Sequence, residues 1–318
     1  MESLTVLDGI RLNFSQGSLF VLNIALALIM FGVALEIKVS QFKKILQKPK
    51  SAIVGFTSQF FVLPAVTFLL TILLKDYITP TIAMGMILVA ACPGGNISNF
   101  ISALAKGNTA LSVSLTAIAT LSAVFMTPLN FSFWGGLYNR YISRHDASAL
   151  LRTLEIDTGQ IFQTVFILLG IPLIIGMIVN HKFPDFAKKL IKPIRIFGIV
   201  FFFALIIMSF SNNFSYFVKY IHLIFLIVLV HNGLALLSGY LMGTAFSLNG
   251  QDRRTVSIET GIQNSGLGLV LIFNPKIFPP EMAIGGMAFI AAWWGIWHIL
   301  SGLGIAYILG KKPLPELA

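Results

Sequence analysis

A chain of 318 residues that is 56% hydrophobic and 11% charged, with a mean hydropathy of +0.87, departs strongly from soluble domains, which are roughly 45–50% apolar and about 25% charged. A soluble globular enzyme or binding domain is therefore excluded. The net charge of +10 is dispersed in short segments between apolar runs, so it describes a membrane protein's loop bias and not a nucleic-acid face. A single cysteine, Cys92, excludes an intrachain disulfide and a cysteine-rich metal centre.

Residues 1–17 lack the cationic region of a secretory signal and are expected to form an extracytoplasmic segment. A spanning helix needs about twenty apolar residues. Stretches of that kind lie near 18–36, 51–74, 80–106, 109–128, 158–180, 195–211, 221–246, 255–274 and 284–309. Nine spans place the termini on opposite sides. The segment IKVSQFKKILQKPK at 37–50 supplies five Lys to the side read as cytoplasmic. Alternation from there leaves outside seven of the 22 Lys and Arg: Arg11, Lys75, Arg140, Arg144, Arg152, Lys219 and Lys276. This bias predicts a multi-pass protein of the cell (inner) membrane with an outside N-terminus and a cytoplasmic tail at 310–318. Residues 129–157 are expected to be an outside connector.

Two of these stretches contain helix-breaking and polar residues. CPGGNISN at 92–99 interrupts the third and ETGIQNSG at 259–266 the eighth. On this topology they enter the membrane from opposite sides. Paired broken helices of opposite direction point to an inverted-repeat secondary transporter with its site near the midplane. The expected fold class is thus an all-α polytopic membrane protein of nine transmembrane helices. It is one N-terminal span short of a five-plus-five plan.

Of twelve acidic residues, Glu259 alone falls within a predicted span; the others, Asp8 and Asp252 among them, are placed in tails, loops or near span ends. A lone carboxylate in a span costs roughly 2.5–3.5 kcal/mol and usually faces a cavity and a partner. With no Lys or Arg at matching depth, the partner is a cation or a proton. The neighbours are oxygen donors. Ser98 and Asn99 follow the first break, Ser112 and Thr116 share a helix face at i and i+4, Gln59 lies in the second span, and Gln263 follows Glu259 at i+4. Taken singly, Pro-Gly kinks, serine and threonine hydroxyls and lone amides have ordinary packing roles in membrane helices, and His231 and His298 are read as packing histidines. Neither HExxH nor GxSxG is present in the spans, so the chain is read as a transporter and not as an enzyme. A proton-coupled carrier with Glu259 as its titrating group is the alternative. An intramembrane enzyme using Glu259 as an acid/base explains neither the oxygen donors nor the paired breaks.

CPGGNISNFISALAKGNTALSVSLTAIATL at 92–121 and NGQDRRTVSIETGIQNSGL at 249–267, with MFGVALEIKVSQF at 30–42, resemble the bile acid:sodium symporter family. That family includes bacterial homologues and the animal sodium/taurocholate cotransporters. The resemblance implies a panel domain and a core domain with two crossing broken helices. Residues 18–74 would hold panel and first core helices, 80–128 the first core half, 158–220 panel helices and 221–309 the second core half. It also implies two co-transported Na⁺. The first would be held by Ser98, Asn99, Ser112, Thr116 and Glu259. The second would be held by Gln59, Glu259, Gln263 and the carbonyls of Thr260 and Ile262. The substrate implied is an organic anion such as a bile acid or another small carboxylate or sulfonate, taken in by alternating access near Asn96, Asn264, Ser265 and His298. Asn96 stands where bacterial members carry Thr. Helix N-termini at the breaks favour an anionic group. The partners expected are this anion and the lipid bilayer, with no nucleic acid and no obligatory protein partner.

Overall fold

A computed structural model describes residues 2–9, 16–37, 49–145, 157–211, 214–279 and 282–312, and the regular elements among them are helices. In chain order these are α1 (Glu2–Asp8), α2 (Gln16–Glu36), α3 (Pro49–Leu73), α4 (Pro80–Ala91), α5 (Ile97–Leu104), α6 (Thr109–His145), α7 (Thr158–Lys182), α8 (Pro184–Ser211), α9 (Phe214–Ala245), α10 (Gly250–Gly261), α11 (Ser265–Ile272) and α12 (Gly285–Lys311). Five of them, α3, α6, α7, α9 and α12, are long and apolar enough to cross a membrane among the described residues; Asn23–Glu36 and α4 are shorter apolar helices. In each of the five, about half or somewhat less of the most apolar stretch is buried inside the protein. The outward faces carry side chains such as Leu69, Leu73, Leu226 and Tyr307, as lipid-facing helices do.

Local chemistry sets the helix starts. Thr79 caps α4 by accepting from the Ile82 N–H, with Pro80 at the first helical position. Asp157 caps α7, Asn249 caps α10 and Asn264 caps α11, each accepting a backbone N–H three residues on. Two helices widen by one π-helical turn, at Ser58–Val62 in α3 and Phe166–Gly170 in α7.

The fourth stretch departs from expectation. The helix does not end at 128 but runs through Pro128 to His145. A proline removes one backbone donor, and Phe131 and Tyr138 beyond it are fully buried, so packing carries the helix on. At 1.5 Å per residue it is about 55 Å long, well beyond a hydrocarbon core of about 30 Å. The expected connector is therefore helical over 129–145. Residues 146–156, like 38–48 of the expected 37–50 loop, lie outside the described residues.

The helices pack as two groups. In one, α2, α7 and α8 lie against each other, with Arg195 bonded to Glu36 (2.8 Å) and Asn180 Nδ2 to the Ile37 carbonyl (2.9 Å). The other contains α3 to α6 and α9 to α12. Gly85 lets α4 lie directly on α12, since a Cβ there would come within 2.7 Å of Met287 Cα. The groups meet through α6 on α7, where Phe125 packs on Phe162 (6.2 Å), and through α11 on α2.

Both predicted breaks are present inside the larger group. The first occupies residues 92–96, between α4 and α5. The second is shorter than 259–266: Glu259, Thr260 and Gly261 still belong to α10, and the chain leaves helix at Ile262–Asn264. The two segments cross and pair. Gly94 and Gln263 form an antiparallel bridge, Gly95 N–H donates to the Ile262 carbonyl (2.8 Å), and Asn264 N–H donates to the Pro93 carbonyl (2.8 Å). Each broken end thus satisfies backbone groups of the other, as buried backbone requires.

Candidate functional site

Three elements deliver side chains to the crossing. Because α5 starts directly after the first break, Ser98 and Asn99 fall in its opening turn. Ser112 and Thr116 share one face of α6, and Glu259 lies near the end of α10. Glu259 is 1% exposed. Its Oε1 accepts from Ser98 Oγ (2.6 Å) and from Ser112 Oγ. Thr116 Oγ1 lies 3.3 Å from Oε1 and 3.1 Å from Oε2. Ser112 Oγ is also 2.9 Å from Asn99 Oδ1, and Thr116 Oγ1 is 3.2 Å from it.

A hydrogen count shows the character of this cluster. The three hydroxyls bring one hydrogen each. Ser112 faces acceptor oxygens of Glu259 and Asn99 at once; Thr116 faces these and the Ser112 carbonyl (3.0 Å) as well. With the Asn99 amide oxygen turned to the hydroxyls, several close contacts therefore place oxygen against oxygen with no hydrogen between them. Such a surplus of lone pairs around a buried carboxylate is the chemistry that a hard cation relieves. Among the described residues no group of three His, Cys, Asp or Glu offers a competing transition-metal site.

A second set of polar groups lies on the other side of the carboxylate. Gln59, in the π-helical turn of α3, and Gln263, in the second break, are both buried. Gly94, in the first break, presents bare backbone to Gln59 and Glu259: a Cβ there would lie 3.0 Å from Gln59 Nε2 and 3.2 Å from Glu259 Oε2. Gln59 Nε2 and Gln263 Oε1 are buried without a partner. Gln263 Nε2 donates to the Thr260 carbonyl (2.8 Å). The Thr260 hydroxyl is 2.9 Å from Ser58 Oγ.

The expected oxygen donors are therefore together: Ser98, Asn99, Ser112, Thr116 and Glu259 in one cluster, with Gln59 and Gln263 beside it. The Thr260 and Ile262 carbonyls are at the crossing, each accepting one hydrogen bond. The four expected substrate residues are less concerted. Asn96 is exposed at the start of α5 and Asn264 spends its Oδ1 on capping α11, while Ser265 Oγ and His298 Nδ1 are buried without a partner. The N-termini of α5 and α11 both open at the crossing.

Other polar residues have partners that the sequence reading passes over. Asp252, near a span end as expected, lies in the first turn of α10 and is buried, accepting from Ser51 Oγ (2.6 Å) and Asn108 Nδ2 (2.8 Å). Arg254 is buried too, donating to the carbonyls of Ala105 (2.9 Å), Leu309 (2.8 Å) and Lys312 (3.2 Å), so one guanidinium ends α5 and α12 together. His231 bonds Thr67 (2.8 Å) and packs on Trp294 at 4.7 Å between ring centroids, in keeping with a packing histidine. Its neighbour Asn232 donates to the Gly261 carbonyl (2.7 Å) and accepts from Ser301 (2.6 Å). The signal for Asn232 was a buried amide in the apolar run VLVHNGLAL.

Comparison with known proteins agrees with this geometry. Residues 23–220 match the family described as the Sodium Bile acid symporter family. The chain is 33% identical over 306 residues to an uncharacterized sodium-dependent transporter, YocS, of Bacillus subtilis (strain 168), covering 95% of this chain and 88% of that one. It is 32% identical over 295 residues to the hepatic sodium/bile acid cotransporter of Rattus norvegicus, covering 91% and 76%. Against the P3 protein of Homo sapiens the identity is 29% over 265 residues, 82% of this chain but about half (52%) of that longer relative.

Proposed function

The chain belongs to the Sodium Bile acid symporter family, and from that premise we propose that it imports an organic anion together with two Na⁺ by alternating access. The observation that carries the reading is the buried Glu259 carboxylate which, with the Asn99 amide oxygen beside it, meets more close oxygen contacts than three hydroxyl hydrogens can bridge. One Na⁺ sits among Ser98, Asn99, Ser112, Thr116 and Glu259. The other is held by Gln59, Glu259, Gln263 and the Thr260 and Ile262 carbonyls, with the free Gln263 Oε1 as it stands and the Gln59 amide oxygen once that amide rotates.

The nine-span, inverted-repeat topology and the outside N-terminus are part of this proposal. The group α2, α7, α8 is the panel and the larger group the core, with apolar contacts between them suited to sliding. The anion binds at the joined N-termini of α5 and α11, whose dipoles favour negative charge, with Asn96, Asn264, Ser265 and His298 around it. A bile acid or another small carboxylate or sulfonate meets that requirement, and the rat relative is named for a bile acid. Two Na⁺ with one monoanion carry one net charge, so the membrane potential adds roughly 2.3 kcal/mol per 100 mV to the sodium gradient.

Thermal unfolding in detergent tests this without knowledge of the substrate. Sodium at about a hundred times its dissociation constant stabilises the native state by roughly 2.7 kcal/mol per site. The wild type is expected to gain stability in Na⁺ over K⁺ at equal ionic strength, and Glu259→Ala to gain none. A wild type indifferent to Na⁺, with uptake that follows pH in K⁺ buffer, would replace sodium by proton coupling through the same carboxylate.

A further inference from the structure

Where α10 ends, three successive carbonyls each find a different partner. Thr260 accepts from the Gln263 side chain (2.8 Å), Gly261 from Asn232 Nδ2 on α9 (2.7 Å), and Ile262 from Gly95 N–H in the other break (2.8 Å). The middle one is thus pinned by a helix that supplies none of the proposed sodium ligands. We propose that Asn232 is a positioning residue for the sodium site, an inference that rests on the sodium reading above: by holding the Gly261 carbonyl towards α9, it fixes the peptide plane at which α10 passes into the break, between the carbonyls of Thr260 and Ile262.

The geometry follows from the backbone. Thr260 and Gly261 are the last helical residues, so their carbonyls point off the end of α10 where no helical N–H follows, and the chain turns out of helix at Ile262, extended at φ −107 and ψ 94. Holding the Gly261 carbonyl fixes the peptide plane that joins helix to break, and with it the setting of Ile262 beyond. Asn232 is fully buried, and its amide is itself oriented, because Ser301 Oγ donates to Oδ1 at 2.6 Å and leaves Nδ2 facing Gly261. Gly261 permits the approach: a Cβ there would lie 2.5 Å from Cγ of Leu236, one turn after Asn232 on α9. The interior carbonyls of α10 already accept helical N–H groups; this amide takes the end carbonyl that lies between the two proposed ligands.

A sodium titration of thermal unfolding separates positioning from packing, using the full chain in detergent with K⁺ as the balancing ion. Asn232→Asp keeps the acceptor for Ser301 but turns a carboxylate oxygen towards the Gly261 carbonyl, and is expected to raise the sodium midpoint about tenfold. Ser301→Ala leaves the amide in place but unoriented and is expected to raise it about threefold. A residue that only holds helices together would lower the melting temperature equally in Na⁺ and K⁺ and leave the midpoint unmoved. Midpoints within about twofold of wild type in both variants would overturn the assignment. If Asn232→Asp does not fold, Ser301→Ala decides alone by the same criterion. A wild type with no sodium-specific rise sinks the sodium reading and this inference with it, whereas a wild-type rise with unmoved variants sinks the inference alone.

Discussion

Two buried carboxylates, Asp8 and Glu259, are each ringed by hydroxyl side chains, and the rings differ in their hydrogen supply. Asp8, on the short helix α1, presents Oδ1 to Thr79 Oγ1 (2.8 Å) and to Thr81 Oγ1. Two hydroxyls bring two hydrogens to one acceptor oxygen, and Thr79 still accepts from the Ile82 N–H, so the one contact left without a hydrogen is the long one between Thr79 and Thr81 (3.3 Å). Leu4 and Leu7 of the same helix are buried in the main apolar core, which makes Asp8 a docking point. Around Glu259 three hydroxyls face the carboxylate and the Asn99 oxygen together, and the hydrogens run short. Burial alone therefore does not set Glu259 apart from Asp8; the supply of hydrogens around it does.

That contrast can be broken by making the same change at both sites. Glu259→Gln should abolish sodium-driven uptake and the sodium-specific rise in melting temperature, a loss of about 2.7 kcal/mol for each site at saturating Na⁺. Gly94→Ala comes next. Its methyl would press on Gln59 and Glu259 at 3.0 and 3.2 Å, and a sodium midpoint about tenfold higher is expected in the unfolding assay, beside a lower melting temperature in K⁺ from overpacking of about 1–3 kcal/mol. Thr116→Val removes one oxygen at near-constant shape and should weaken sodium about three- to tenfold, read from the sodium dependence of uptake.

Asp8→Asn should do least. Burial holds the Asp8 carboxyl above the usual carboxylate range, against the lowering effect of the Thr81 and Thr79 hydroxyls. The folded state thus binds this proton more tightly than the unfolded chain, and the group's contribution to stability falls as pH rises from the ordinary value through the raised one. The amide should flatten that fall and change stability at neutral pH by less than about 1 kcal/mol, as melting curves across pH would record. An Asp8→Asn variant that lost its sodium response would erase the distinction between the two carboxylates.

The sequence made Glu259 legible because an acid in an apolar run has a local cost that needs no fold to see. Pro93, Gly94 and Gly95 likewise announced a break, and the residues just past it, Ser98 and Asn99, had to lie near its end. Asp8, Asp252 and Arg254 were not legible as buried groups, since each flanks a polar segment and its partners lie far off in the chain: Thr79 and Thr81, Ser51 and Asn108, Ala105 and Leu309. Asn232 was hidden for the same reason, its carbonyl partner lying 29 residues away. The span expected to end at 128 differs in the opposite direction. A proline stops an isolated helix, but buried neighbours on both sides of it carry this one through to His145.

The crossing itself is joined by main-chain hydrogen bonds, Gly95 to Ile262 and Asn264 to Pro93. Bonds of that kind tolerate many exchanges of side chain but depend on chain length. One residue inserted between Gly95 and Ile97 would turn the start of α5 by about 100°, carrying Ser98 away from the carboxylate while every original residue was still present. At this point in the molecule, spacing matters as much as composition, and a single added codon should be more damaging than most replaced ones.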